Sequence, residues 1–481
     1  MANNIYHKSN WGSPEKDDWG DVYFNPSATN KLYTRSDNYE NSDGTDKALA
    51  SKPDTQSVLM TPTAYSVGSM NSILPTNGNG NFTFDRNSTA TRVNKEGLIE
   101  TVAIDTPRLD YPLIDGVVQS EPALLLEPAA TNFLQYSEDY TQTEWSRANI
   151  NTPVLQTSVI APDGSTNVYL ITNSATSNPI IFDNEIGSST NDSTFSVFVK
   201  YYNNKYFKLR IDAPTKNVLF NIQDGYIVDE NTSVNGKIED YGNGWYRCSI
   251  THTALTTAGN AVISINDSGS ISNNILQTTG LGCYIFGAQY EVNAYPTSYI
   301  KTTGSSVTRA AETANGAGTS DDFNDSEGVL FAEISALHND LTNRVISISN
   351  STSTSNRVML LYQIDSNKIR GQFSVSGQTR RIIDYDKSDT TITAKTAIKY
   401  DSTNIKLYVN GFEIREVATG FTIADGTLTE LAFDNVGTGH FYGRTKEVGV
   451  FKTALTDSEL EALTSWDSFS DMATGQEYTI R

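Results

Sequence analysis

The sequence predicts an all-β fold: two tandem β-sandwiches preceded by an irregular connector and an extended N-terminal arm. Three observations carry this. The 481-residue chain is 37% hydrophobic and only 19% charged, and the remainder is rich in Ser, Thr, Asn and Gly, with 25 Tyr and 19 Phe. That mixture belongs to aromatic strands joined by polar loops, not to a coiled coil or a disordered acidic tail. The apolar runs are short and bounded by turn residues. Asn-Gly and Asp-Gly steps stand between pairs of such runs, which is the local signal of a hairpin.

Residues 1–76 are rich in Asn, Ser, Asp and Pro and hold too few apolar side chains to bury a core. They are expected to form an arm that orders against partner chains. Residues 77–130 carry short strand signals such as Phe82-Thr83-Phe84, then Pro107, Pro112, Pro122 and Pro128. Proline lacks a backbone donor and is excluded from central strands. The stretch therefore reads as a compact connector with short strands. Its run Ala123–Leu126 is too short for a core helix.

Residues 131–312 read as the first sandwich. Phe195–Val199, Tyr206–Ile211, Val218–Ile222, Trp245–Ile250 and Cys283–Tyr290 are strand candidates, with Asp224-Gly225 marking a hairpin and Gly242-Asn243-Gly244 a turn. Trp145 and Trp245 are expected in the core. Residues 313–481 read as a second sandwich, entered through the linker-like Ala314-Asn315-Gly316-Ala317-Gly318. Asn410-Gly411 gives the clearest hairpin, because both residues tolerate the positive φ of a type I′ turn. A single helix is expected after Thr456. Thr456 and Glu459 make a capping box, Leu455 can staple onto Leu460, and the helix should reach about Thr464.

Composition excludes several classes. Lys and Arg number 35 against 56 Asp and Glu, a formal charge of −21. Phosphate binding needs a concentrated positive surface, so nucleic acid is not an expected partner. The acidity is spread over all four parts and reads as a solvated surface. No apolar stretch is long enough to span a bilayer, and the N-terminus lacks the pattern of a secretory signal. Cys248 and Cys283 are expected to be two small buried side chains, with a single bridge as the alternative.

Enzyme chemistry finds little support. A jelly-roll glucanase sets carboxylates on alternate residues, Glu-x-Asp-x-Glu, so that they share one sheet face. No such string occurs. Asp384 and Asp386 lie two apart but read as part of a turn. The four histidines lie outside any Gly-x-Ser-x-Gly string, and no phosphate-binding glycine loop is present, so no enzyme and no organic cofactor are expected. Calcium is the one candidate ion, because Asp321, Asp322, Asp325 and Glu327 offer hard oxygen ligands within a short span. The competing reading is a solvated linker. A sugar site needs exposed rings beside amides. Tyr201, Tyr202, Asn204 and Tyr206, with Asn203 between them, supply that set at an expected strand end.

Three ordered strings carry a resemblance. Phe84–Asn94, with Gly97–Glu100, Pro107–Tyr111 and Pro122–Asn132, resembles a connector of head-fibre and tail-fibre proteins of tailed bacteriophages. Tyr136–Asp139, Gly242–Cys248, Gly287–Glu291, Tyr295–Ile300 and Thr308–Glu312 resemble the carbohydrate-binding-module-like jelly roll that follows it. Phe441–Phe451 and Ala454–Thr456 resemble the closing strand and helix of concanavalin A-like, laminin-G-like lectin domains. The resemblances cover residues 77–481, and residues 1–76 match no family.

They imply that both sandwiches are jelly rolls, and that the chain is a virion structural protein, a tail or host-facing fibre. It would be a homotrimer attached to other virion proteins through residues 1–76, facing bacterial surface glycan. A head fibre or capsid decoration protein without a ligand is the alternative, and a polysaccharide-degrading enzyme a remote one. Fold alone does not establish sugar binding.

Overall fold

The computed structural model describes residues 55–187, 189–212, 215–252, 258–272, 276, 278–363 and 367–465, with the short antiparallel strands Pro14–Lys16 and Val22–Phe24. Most of the expected N-terminal arm thus lies outside the described residues. The rest is strand after strand, with one helix among the described residues, Asp457–Leu463. The chain divides into two compact units. A central unit comprises Arg86–Ala123 and Glu127–Glu312, and a second unit comprises Met1–Asp85, Leu124–Leu126 and Thr313–Arg481. Residues 77–130 are therefore shared between the two units instead of standing alone.

The central unit is a sandwich of two six-stranded antiparallel sheets. One runs Trp145–Ala148, Ile180–Ile186, Gly259–Asn266, Tyr206–Ile211, Lys216–Asn221, Tyr226–Glu230. The other runs Val154–Leu155, Tyr169–Thr172, Gly282–Glu291, Ser193–Tyr201, Trp245–His252, Val234–Asp240. Alternate residues of both point inward, so Phe195, Val197 and Val199 meet Phe207, Leu209 and Ile263 in one apolar core. The expected turns form where positive φ is needed: Gly225 at 77°, and Gly242, Asn243 and Gly244 at 74°, 53° and 76°. Trp145 and Trp245 are each 2% exposed. Their indole N–H groups donate to the carbonyls of Tyr136 and Ile160, both at 2.8 Å. Cys248 and Cys283 are buried and free, and burial pushes both thiols up.

The connector residues of this unit pack on the outer face of the second sheet. Ile99, from the hairpin Ala90–Val93 and Ile99–Val102, joins Phe198, Trp245, Phe286 and Tyr299 in a separate cluster. Beside it lies a buried ionic network. Arg86 Nη1 reaches Glu312 Oε1 at 2.7 Å, and Arg108 Nε reaches the same oxygen at 2.8 Å. Arg108 Nη1 also donates to Glu127 Oε2 at 2.8 Å, and Arg309 Nη2 lies 3.5 Å from that atom. Ser298 supplies its hydroxyl and its N–H to Glu127 at 2.6 and 2.9 Å. Burial alone would raise the Glu127 carboxyl, but Arg309 and Arg108 overcome it and hold the group well below its ordinary range. Arg86, Arg108, Glu127, Ser298, Arg309 and Glu312, all from the recognised strings, are thus packing residues. Ser137 Oγ and the Tyr299 hydroxyl, from two of those strings, lie 2.8 Å apart.

The second unit is also a two-sheet sandwich. Its larger sheet runs Phe412–Ala418, Asn404–Val409, Ala394–Tyr400, Gly328–Ala336, Gly443–Phe451. Gly443–Phe451 then pairs end to end with two short partners: Leu124–Leu126 against Thr445–Gly443, and Gln56–Met60 against its far half. The run Ala123–Leu126 is thus a buried strand. The smaller sheet has five strands: Gln378–Asp386, Lys368–Val375, Arg357–Tyr362, Arg344–Ser349, Glu430–Ala432. Gly371 shows how the sheets meet. A Cβ there would touch Ile398 and Leu407 of the larger sheet at 3.2 and 3.3 Å. Phe373 stacks on Tyr400 at 5.9 Å, on the same face.

The Asn410-Gly411 hairpin forms with φ of 50° and 84°. The helix has the expected cap: Glu459 N–H donates to the Thr456 hydroxyl and the Glu459 carboxylate accepts from Thr456 N–H at 2.7 Å. Leu455, Leu460 and Leu463 cover Val329, Phe331, Tyr408 and Phe451 on the outer face of the larger sheet.

Two local expectations are corrected. Ala314–Gly318 is not a loose linker. Thr313–Asn315 is a strand paired with Phe82–Asp85, Ala317 is fully buried, and Gly318 lies against the Phe323 ring, where a Cβ would clash at 2.4 Å. Asp384 and Asp386 lie not in a turn but on the strand Gln378–Asp386, where Asp384 stands opposite Arg370. Cross-strand pairing with a cation outweighs the turn propensity of Asp at this position.

Candidate functional site

The outer face of the five-stranded sheet carries a shallow groove of about 200 Å³. Its origin is the strand Arg357–Tyr362. Val358, Leu360 and Tyr362 point to the core, so Arg357, Met359 and Leu361 must point away from it. A sheet face open to water normally carries polar side chains there. Instead Met359 and Leu361, with Val345 of the next strand, form a small apolar cluster. This cluster is the groove floor. Arg357 lines it from the same strand as Met359, Gln363 from just past that strand's end, Arg370 and Gln372 from the strand Lys368–Val375 on the other side, and Asn343 and Asn435 from the loops beside Val345.

The two arginines differ. Arg370 is clamped by Asp384 through two parallel bonds, Nε to Oδ1 at 2.6 Å and Nη2 to Oδ2 at 2.9 Å. Those bonds hold the Asp384 carboxyl below its ordinary value. Arg357 has no acidic partner among the described residues, and its buried Nε donates to nothing. Burial lowers its pKa. The Oδ1 of Asn435 is likewise buried without a donor. Such an arrangement can accept an anion and a hydroxyl above an apolar surface; it holds no acid–base pair.

The sequence-predicted tyrosines lie in the central unit. Tyr201 ends the strand Ser193–Tyr201 and is 39% exposed, and Tyr202 follows at 44%. Tyr202 meets Tyr284 edge-on at 5.3 Å. Tyr206 opens the next strand, with Lys205 Nζ 4.7 Å from its ring centre. Asn204 does not join them as a surface ligand. It is 4% exposed, and its amide donates to the carbonyls of Tyr206 and Asn266 at 2.7 and 3.1 Å. Its amide ties the loop down, so the exposed set reduces to rings.

The acidic run is dispersed. Asp322 accepts the N–H and hydroxyl of Thr319, both at 2.9 Å. Asp325 accepts the N–H groups of Gly426 and Leu428, both at 2.7 Å. Glu327 faces the N–H of Ala454 at 3.3 Å, and Asp321 is exposed. Among the described residues no three His, Cys, Asp or Glu side chains gather as a metal site. Unpaired backbone donors claimed these carboxylates. Glu333 stands between Lys395 and Glu447 across its sheet.

The groove was missed in the sequence, although one signal was present. Val358-Met359-Leu360-Leu361-Tyr362 is apolar without alternation, which marks a strand with both faces out of water.

Residues 331–461 match the profile of the concanavalin A-like lectin/glucanases superfamily, a segment that includes every residue lining the groove. No curated protein matches the chain. Among solved structures, the chain is similar to the CBM40 of the Ruminococcus gnavus IT-sialidase bound to alpha2,3 sialyllactose, with 16% identity over 30% of this chain and 84% of that one and a TM-score of 0.26. It is similar to domain 4 of AbnA, an extracellular GH43 arabinanase of Geobacillus stearothermophilus in complex with arabinotriose, with 16% identity over 36% and 84% and a TM-score of 0.27. A heptameric SAP-like pentraxin of Limulus polyphemus gives 11% identity over 30% and 71% and a TM-score of 0.24. With scores this low, none of these neighbours bears on what this chain binds. Among the described residues, no helix is long and apolar enough to cross a membrane.

Proposed function

We propose that this chain is a glycan-binding virion fibre protein. The single observation that carries the binding reading is the groove, since it lies inside the one segment that matches a lectin-type profile. An apolar floor suits the C–H face of a sugar ring, and the amides and guanidinium around it suit hydroxyls. The exposed rings of Tyr201 and Tyr202, with the half-buried ring of Tyr206, are a second proposed contact in the other sandwich. Binding is favoured over hydrolysis because no carboxylate lines the groove among the described residues, and Asp384, which meets the groove residue Arg370, is tied up by it.

The fibre role rests on the ordered strings of residues 84–132 and 136–312. In this reading residues 1–76 anchor a homotrimer to other virion proteins, and the two sandwiches face bacterial surface glycan. The test is direct. Full-length protein on an array of bacterial surface glycans should bind a subset of them, and antibody labelling should place it on the fibres of intact phage particles. Light scattering should give a multiple of 52.7 kDa. An array without binding counts against the lectin role, and absence from particles against the fibre role.

A further inference from the structure

We propose that the groove on the five-stranded sheet selects an anionic sugar residue, one bearing a carboxylate or sulfate, with Arg357 as the group that reads the charge. This deepens the glycan-binding reading and rests on it. The other arginine lining the groove already has its carboxylate: Arg370 is paired with Asp384. Arg357 stands at the groove without one, and its Nε is out of water with no acceptor. A partly buried guanidinium without a counter-charge is unfavourable unless something outside the chain supplies it. The planar fork of arginine fits the two oxygens of a carboxylate or sulfate side by side.

A second, independent feature lies across the floor. Asn435 Oδ1 lacks a donor, so the groove offers one unmatched donor and one unmatched acceptor. Val436, next to it, has φ of 51°, a conformation that β-branched residues rarely adopt. Strain of this kind persists where the surroundings fix a loop for use. Met359 and Leu361, 3% and 6% exposed, close the bottom of the groove with apolar side chains. An anionic sugar lying on that floor would place its charge at Arg357 and donate a hydroxyl to Asn435. A neutral sugar leaves Arg357 unmatched.

The test uses full-length protein and three probe sets: galacturonate oligomers, sulfated galactose oligomers and uncharged galactose oligomers. The expected result is at least tenfold tighter binding of one charged set than of the uncharged one, weakening as salt is added. Arg357→Gln should abolish that preference while its thermal unfolding is unchanged. Arg415→Gln removes the same charge from an exposed position on the other sheet and should keep the preference. Equal binding of charged and uncharged oligomers, unaltered in Arg357→Gln, overturns the charge selection and leaves the glycan reading standing. Failure to bind any of the three sets by a protein that binds the glycan array overturns the charge selection alone, and failure on the array as well overturns both.

Discussion

Arg86 and Arg108 of the central unit and Arg357 of the second unit meet opposite surroundings. In the central unit Arg86 and Arg108 lie fully buried, and their charges are met by Glu127 and Glu312. In the second unit Arg357 is half-buried, lies beside an apolar floor and meets no carboxylate among the described residues. The lesson is that burial alone does not distinguish a structural charge from a binding one. What distinguishes them is whether the fold supplies the partner.

If that contrast is right, disrupting the matched network should produce the largest effect. Arg108→Ala leaves Glu127 and Glu312 short of a partner and should destabilise the protein by about 3–5 kcal/mol, the cost of breaking a buried pair. Urea unfolding followed by tryptophan fluorescence reports it, since Trp145 and Trp245 both lie in the central unit. In the second unit, Leu460→Ala uncovers the larger sheet and should cost about 2–5 kcal/mol by cavity formation.

Acid sharpens the comparison further. The Glu127 carboxyl is held below its ordinary value of 4.5, so its contribution is fully present above that pH and is lost as pH falls toward the folded value. Thermal unfolding of the central unit should therefore weaken as pH drops below about 4.5, and Glu127→Gln should be less stable at neutral pH and show a shallower acid dependence. Equal acid dependence in the two proteins would remove Glu127 from this account.

Smaller effects follow. Thr456→Ala removes the helix cap and should cost about 1 kcal/mol. Arg357→Gln should change stability least, within about 0.5 kcal/mol, because it loses no ion-pair partner among the described residues. A large loss there would show that Arg357 is structural, and the contrast between the units would fail.

How much of this was legible beforehand depended on range along the chain. Asn410-Gly411 and the Thr456–Glu459 box act within a few residues, and both stand where the sequence placed them. The rings of Tyr201 and Tyr202 were found at a strand end for the same reason. Arg86 and Glu312 are 226 residues apart, and nothing local announces that they meet. The groove is harder still. Arg357, Arg370 and Asn435 come from separate elements, and only strand register brings them to one face. The acidic run is dispersed because carboxylates close in sequence accept from different backbone donors, as with Asp322 and Asp325.

The central claim is that the unmatched arginine marks where ligand binds. A crystal structure of the full-length protein with an acidic oligosaccharide from the binding assay tests it most directly. The account predicts a sugar ring over Met359 and Leu361, with its carboxylate or sulfate on Arg357. A sugar bound instead at Tyr201 and Tyr202, with Arg357 untouched, would contradict it.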